Sequence, residues 1–201
     1  EICLSDWSSD VCSSDLELFT GNNLIVMAWA DGRITAREVL RNWGIVCLAN
    51  FLGAAALALL VYAAGHTAMN GGAIGRTVLR IVQTKMELST PEAFFRGALC
   101  NVLVCMAVWM AMAGRSVVDK AVAIVLPVAA FVAAGYEHSI ANMYFFPLAM
   151  LVEHGAGGTA TVTVGAMLGN LLPVIAGNLL GGSVLVALTY YVIYRRTTTG
   201  V

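Results

Sequence analysis

Charge is what this sequence has least of. Only 11% of its 201 residues are Asp, Glu, Lys or Arg, where a soluble domain carries about 25%. The formal net charge is −1, which gives no electrostatic grip on nucleic acid. No Cys-x-x-Cys spacing occurs, which argues against a zinc or redox site of that kind. Cys47, Cys100 and Cys105 sit inside apolar runs and read as small hydrophobes, while Cys3 and Cys12 lie in a polar N-terminal stretch. A His-Glu-x-x-His metalloprotease motif is missing. So is the Gly-x-Ser-x-Gly elbow of a serine hydrolase. His66 and His154 lie near span ends, at no metal-ligand spacing, so neither a metal nor another cofactor is expected. What the chain does have is apolar residues, 59% of the total, at a mean hydropathy of +0.81. It also has 20 glycines, which suit closely packed membrane helices. The expected class is an all-α, polytopic membrane protein embedded in a lipid bilayer.

A span needs about 20 apolar residues. Four runs qualify: Asn42 to Gly65, Ala93 to Gly114, the stretch after Lys120 to Met150, and Val162 to Tyr194. The third contains Glu137 and His138, an expensive pair to place in an apolar run. A shorter run, Leu16 to Ala30, is interrupted by Thr20-Gly21-Asn22-Asn23 and reads as the second part of a broken helix. Arg33, Arg37 and Arg41, then Arg115 and Lys120, then Arg195 and Arg196 fall on one side if the spans alternate. The positive-inside rule makes that side the cytoplasm, so the C-terminus is expected there. Arg76, Arg80 and Lys85 fall on the opposite side, in an outer loop. Tyr190, Tyr191 and Tyr194 fit an aromatic belt. Residues 1–16 are rich in Ser, Asp and Cys and read as an irregular stretch foreign to the fold. They lack the basic start and apolar core of a signal peptide. Residues 17–196 form the expected membrane domain, and 197–201 a cytoplasmic tail.

Two segments repeat each other. Asn42 to Ala54, NWGIVCLANFLGA, matches Asn170 to Gly182, NLLPVIAGNLLGG. Each has Asn, seven residues, Asn, an apolar pair and Gly, and each follows an interrupted run: ELFTGN (Glu17 to Asn22) or YEHSIAN (Tyr136 to Asn142). The paired spans run in opposite directions, so this is an inverted repeat, which places a site between two broken helices. Broken backbone is tolerable at membrane depth where it lines a cavity or is buried in protein. Two half-helix N-termini facing one another favour an anion.

The stretches ELFTGN, GALCNVLVCMAVWMA, GRSVVDK, GYEHSIANM and LPVIAGNLLGG resemble the formate/nitrite transporter family, from Glu17 to Arg196. The resemblance implies a homopentamer of aquaporin-like protomers, each with its own pore and six helices, the second and fifth of them broken. It implies an inner-membrane channel for small monovalent anions, formate first, nitrite next, with hydrosulfide as a third possibility. Leu18, Phe19 and Thr20 would form the loop that narrows the cytoplasmic side. His138 would be the central pore histidine, hydrogen-bonded to or near Thr20, and Phe131 a residue of the outer constriction. Lys85, Asn101 and Asn178 would supply positive potential and hydrogen bonds along the path, with Glu137 and Asn142 in support. The family's first helix and the first half of its second are replaced here by residues 1–16, as in an N-terminally truncated member.

Each residue also has a plainer reading. His138 could hydrogen-bond across a helix interface. Glu137, about 100° from His138 on a helix, is expected to face away from the cavity and to hold backbone N–H groups freed at the break. Asn101, Asn142 and Asn178 could be packing glue. Thr20 could cap the half-helix after it, Lys85 could be a solvated charge, and Phe19 and Phe131 could be core. The competing function classes are an intramembrane enzyme using Glu137, His138 and Ser139, and a neutral-solute channel. The second would want an Asn-Pro-Ala motif, and none occurs.

Overall fold

Helices here begin where the sequence offers a cap, not where hydropathy begins. A computed structural model describes residues 18–157 and 160–196. The stretch 1–16, Glu17 and the tail 197–201 lie outside the described residues. After a 3-10 turn, Asn22–Ile25, comes a short helix, α1 (Val26–Ala30). Helix α2 (Ala36–Ala63) starts at a capping box. Glu38 N donates to Thr35 Oγ1 at 3.3 Å, and Thr35 N donates back to the Glu38 carboxylate at 2.7 Å. Ser89 and Glu92 do the same for α4 (Thr90–Ala113), and Ser116 and Asp119 for α5 (Val117–Ala133). These polar first turns place the starts of α2 and α4 ahead of the apolar runs expected from Asn42 and Ala93.

Among the described residues three helices are long and apolar enough to cross a membrane: Ala36–Ala63, Thr90–Ala113 and the continuous helix Val164–Tyr194. Only 11% of the apolar window of α2 is buried, against 44% and 50% in the other two. Leu48, Leu52, Leu59 and Leu60 therefore face outward, as suits contact with lipid or a neighbouring subunit.

One expectation needs correction. The segment placed in an outer loop is a helix, α3 (Met69–Met86), in the connection between α2 and α4. Arg76, Arg80 and Lys85 interrupt its apolar residues, so a hydropathy window passes over it, while its apolar face (Val78 and Val82) enters the core. The third run divides at its expected interruption into two helices, α5 and α6 (Ser139–Gly155). Gly135 takes φ +66. Its N–H reaches the Val132 carbonyl at 3.1 Å, and Tyr136 N–H reaches the Phe131 carbonyl at 3.0 Å. This is a Schellman ending, and it requires a left-handed residue that glycine alone supplies without strain.

The last helix, α7 (Val164–Leu179), packs on α4 at backbone distance. A Cβ on Gly177 would collide with the Phe94 carbonyl, and one on Gly181 with the Ala98 carbonyl. Gly177 and Gly181 form the small-xxx-small pattern of close membrane helix pairs. The obstacles are backbone atoms, so they cannot turn aside. Gly177→Ala is expected to destabilise the fold by about 1–3 kcal/mol, the usual cost of overpacking, read as a lower unfolding midpoint in detergent. Beyond Leu179 the helix widens into π turns over Leu180–Leu188. The widening begins where the Asn178 carbonyl accepts Asn101 Nδ2 at 2.6 Å and Asn23 Nδ2 at 3.0 Å, bonds that compete with the regular helical ladder.

The inverted repeat is visible in hydrogen bonds. Asn50 Oδ1 accepts from Phe19 N–H at 3.0 Å, and Asn178 Oδ1 accepts from Ser139 N–H at 3.0 Å. Asn42 Oδ1 accepts from Asn22 Nδ2 at 3.2 Å, and Asn170 Oδ1 accepts from Asn142 Nδ2 at 2.7 Å. The Leu18 carbonyl takes Asn22 N–H as the His138 carbonyl takes Asn142 N–H. Each half thus uses its two asparagines to hold its own helix break. Leu18 and His138 occupy matching positions at the two breaks.

Candidate functional site

The two breaks meet at one hydrogen bond. Thr20 Oγ1 lies 3.2 Å from His138 Nε2, across 118 residues of sequence. His138 is extended, at φ −107 and ψ 116, and it caps α6: its Nδ1 accepts from Ala141 N–H at 3.2 Å. That bond occupies the Nδ1 lone pair, so the neutral ring carries its proton on Nε2 and donates it towards Thr20 Oγ1. Protonation at Nδ1 would break the cap. Thr20 is fully buried, and its hydroxyl bonds across the breaks and does not cap the following turn. Its carbonyl accepts from Cys105 Sγ at 3.4 Å.

Phe131, at the end of α5, stacks on the His138 ring, with centroids 5.6 Å apart and planes 11° from parallel. Both line a cavity of about 430 Å³, a volume typical of small-ligand sites. Lys85, Arg96, Glu137 and Tyr136 line it too. Glu137 does not turn away from this cavity, as helical geometry would demand, because residues 134–138 lie in the break and the 100° step does not apply.

Nor does the Glu137 carboxylate hold freed backbone N–H groups. Its Oε1 pairs with Lys85 Nζ at 2.8 Å, and its Oε2 accepts from Asn142 Nδ2 at 2.7 Å. The N–H groups of the break are served by Asn178, for Ser139, and by the His138 ring, for Ala141. Lys85 is accordingly a mostly buried partner, with 14% of its side chain exposed, and not a solvated loop charge. Its carbonyl also holds Asn170 Nδ2 at 3.1 Å.

The other expected path residues divide. Phe19 is 2% exposed, with its N–H on Asn50, while Leu18 is exposed. Asn178 is fully buried, and its amide is committed: Nδ2 donates to the Gly97 carbonyl at 2.7 Å and the Glu137 carbonyl at 3.1 Å, and Oδ1 holds Ser139. The structure places it as a clamp behind the break. Asn101 is also fully buried and bound to the Asn178 carbonyl. Two residues escaped the sequence reading. Arg96 stands on the cavity wall, yet a lone arginine near the start of an apolar span reads as an ordinary snorkelling end. Asn23, buried beside the break, donates to the Asn178 carbonyl, and no spacing rule signals that contact. Among the described residues no group of three or more His, Cys, Asp or Glu could hold a metal ion.

Two helix breaks joined inside an inverted helical repeat define a membrane channel or transporter of aquaporin-like architecture. The chain belongs to the formate/nitrite transporter family, whose profile, described as "Formate/nitrite transporter", matches residues 11–192. It is 42% identical over 199 residues to the formate channel FocA of Escherichia coli (strain K12), across 92% of this chain and 69% of that one. It is 33% identical to the uncharacterized transporter YrhG of Bacillus subtilis (strain 168), across 90% of this chain and 65% of that one. A solved "Pentameric formate channel with formate bound" matches at TM-score 0.79 and 37% identity, over 89% of this chain and 75% of that one. The protein is therefore an integral membrane protein of a family whose named relatives are channels and transporters.

Proposed function

We propose that the chain forms a homopentameric channel for small monovalent anions, formate foremost and nitrite next, with its C-terminus in the cytoplasm. The path in each protomer narrows at Leu18 and Phe19 on the inner side and at Phe131 on the outer side. The observation that carries this reading is the Thr20–His138 bond joining the two breaks. Support also comes from the formate channels among the relatives.

In this reading an anion entering past Phe131 meets the Nε2–H of His138 and the hydroxyl of Thr20. The aromatic ring of Phe131 lies nearly parallel to the imidazole, with centroids 5.6 Å apart, and limits its rotation. An ion stripped of water gains most from charge-assisted hydrogen bonds, which are stronger than neutral ones. Passing a proton to a weak-acid anion would remove its charge before the apolar narrows. For His138 to do so it must first be charged at Nδ1, which releases Ala141 N–H. Proton transfer and loosening of the first turn of α6 are thus linked.

The test is anion flux into proteoliposomes, with formate, nitrite and hydrosulfide compared. His138→Asn is expected to lower formate flux at least tenfold, the equivalent of one charge-assisted hydrogen bond, and to flatten its pH dependence. Full, pH-independent flux in that variant would refute the role of His138. Thr20→Val, which keeps shape and removes the hydroxyl, is expected to lower flux about threefold to tenfold, the scale of one neutral hydrogen bond.

A further inference from the structure

The outer cavity holds more positive charge than its salt bridge uses. Its charged lining is Lys85, Arg96 and Glu137. Lys85 and Glu137 lie 2.8 Å apart and cancel. The second carboxylate oxygen accepts from Asn142, and among the described residues no carboxylate forms an ion pair with Arg96. The nearest carboxylate along the helix is Glu92, which acts on Arg96 electrostatically. Both the backbone and the hydroxyl of Ser89 hold that carboxylate, at 2.9 and 2.6 Å, as half of the α4 capping box. Neighbouring backbone is fixed as well. The Arg96 carbonyl accepts Glu137 N–H at 3.4 Å, which ties this turn of α4 to the helix break, one residue from His138. Arg96 is half-buried, so its guanidinium works in a partly desolvated wall.

We propose that Arg96 captures the anion in this cavity, gripping the two oxygens of a carboxylate or nitrite with two N–H groups before the ion reaches His138. The planar fork of a guanidinium matches a planar two-oxygen anion, and an ammonium does not. Lys85 cannot take this role while Glu137 holds it. Arg96 therefore sets entry affinity and favours two-oxygen anions over hydrosulfide, which offers a single acceptor atom. This inference rests on the anion-channel reading above.

The test uses the full chain in proteoliposomes, with formate and hydrosulfide as probes over a concentration series. R96Q is expected to raise the formate concentration for half-maximal flux about tenfold while leaving maximal flux within about twofold. R96K, which keeps the charge and loses the fork, is expected to raise that concentration about fivefold for formate and to leave hydrosulfide unchanged. Oligomer elution and the unfolding midpoint are measured for both variants. If R96Q does not assemble, the formate-to-hydrosulfide ratio in R96K decides alone. Half-saturation unchanged in R96Q overturns the capture role. An equal loss for both anions in R96K overturns the two-pronged grip. A wild-type chain without flux overturns the channel reading itself, so the two failures are distinguishable.

Discussion

Lys85→Met is expected to destabilise the folded protein by about 3 kcal/mol, because it strands a buried carboxylate. The Glu137 side chain is 4% exposed, and after the substitution Asn142 is its one remaining side-chain hydrogen-bond partner. The pair itself need not be worth that much. Two charges removed from water lose hydration comparable to what they regain from each other, whereas breaking the pair leaves one loss uncompensated. The double variant Lys85→Met/Glu137→Gln should therefore recover most of the stability, since Gln keeps an acceptor for Asn142 without charge. The measurement is a double-mutant cycle on unfolding midpoints in detergent. A coupling of about 2 kcal/mol is expected, within the range for residues in contact. Additive losses would mean that Lys85 is held by its stem and not by Glu137.

This pair also marks the limit of what the sequence disclosed. Glu137 is conspicuous in an apolar run, but its partner lies 52 residues earlier, on an amphipathic helix that hydropathy skips. Charge in a polar-looking segment carries no sign of burial. The same blindness applied to Arg96, whose importance lies in what faces the cavity and not in its neighbours along the chain. The repeat, by contrast, was readable. Asn42 with Asn50, and Asn170 with Asn178, keep one spacing because each pair does the same two tasks at its own break. His138 drew notice too, as an ionisable residue inside a membrane segment, and the resemblance implied its contact with Thr20, which the structure has at 3.2 Å. Its duty as a ring cap was not readable. A cap is expected from Ser, Thr, Asp or Asn, and Ser139 sits next to it as the conventional candidate. Ser139 is instead the first residue of the helix, with its N–H given to Asn178.

The Asn178 side chain ties the second break to its neighbours, and the consequence of losing it is measurable. Asn178 serves Ser139 N–H, the Gly97 carbonyl and the Glu137 carbonyl, linking α4, the break and α7 at one fully buried side chain. A hydrogen bond between membrane helices contributes about 0.6 kcal/mol on average and at most about 1.7, and an orphaned buried N–H adds about 1–3. Replacement by Leu, of similar volume, isolates these terms. Asn178→Leu is expected to cost about 3 kcal/mol, read as an unfolding midpoint in detergent. The loss should also reach the site. Without Asn178 the Ser139 and Glu137 backbone is released on both sides of His138, so the ring loses the frame that aims Nε2 at Thr20. Formate flux in Asn178→Leu should therefore fall further than its stability alone predicts at temperatures where the protein is still folded. A loss well below about 3 kcal/mol would mean that the clamp is shared across the break by Asn23 and Asn101, which grip the Asn178 carbonyl, and is not concentrated in the Asn178 amide.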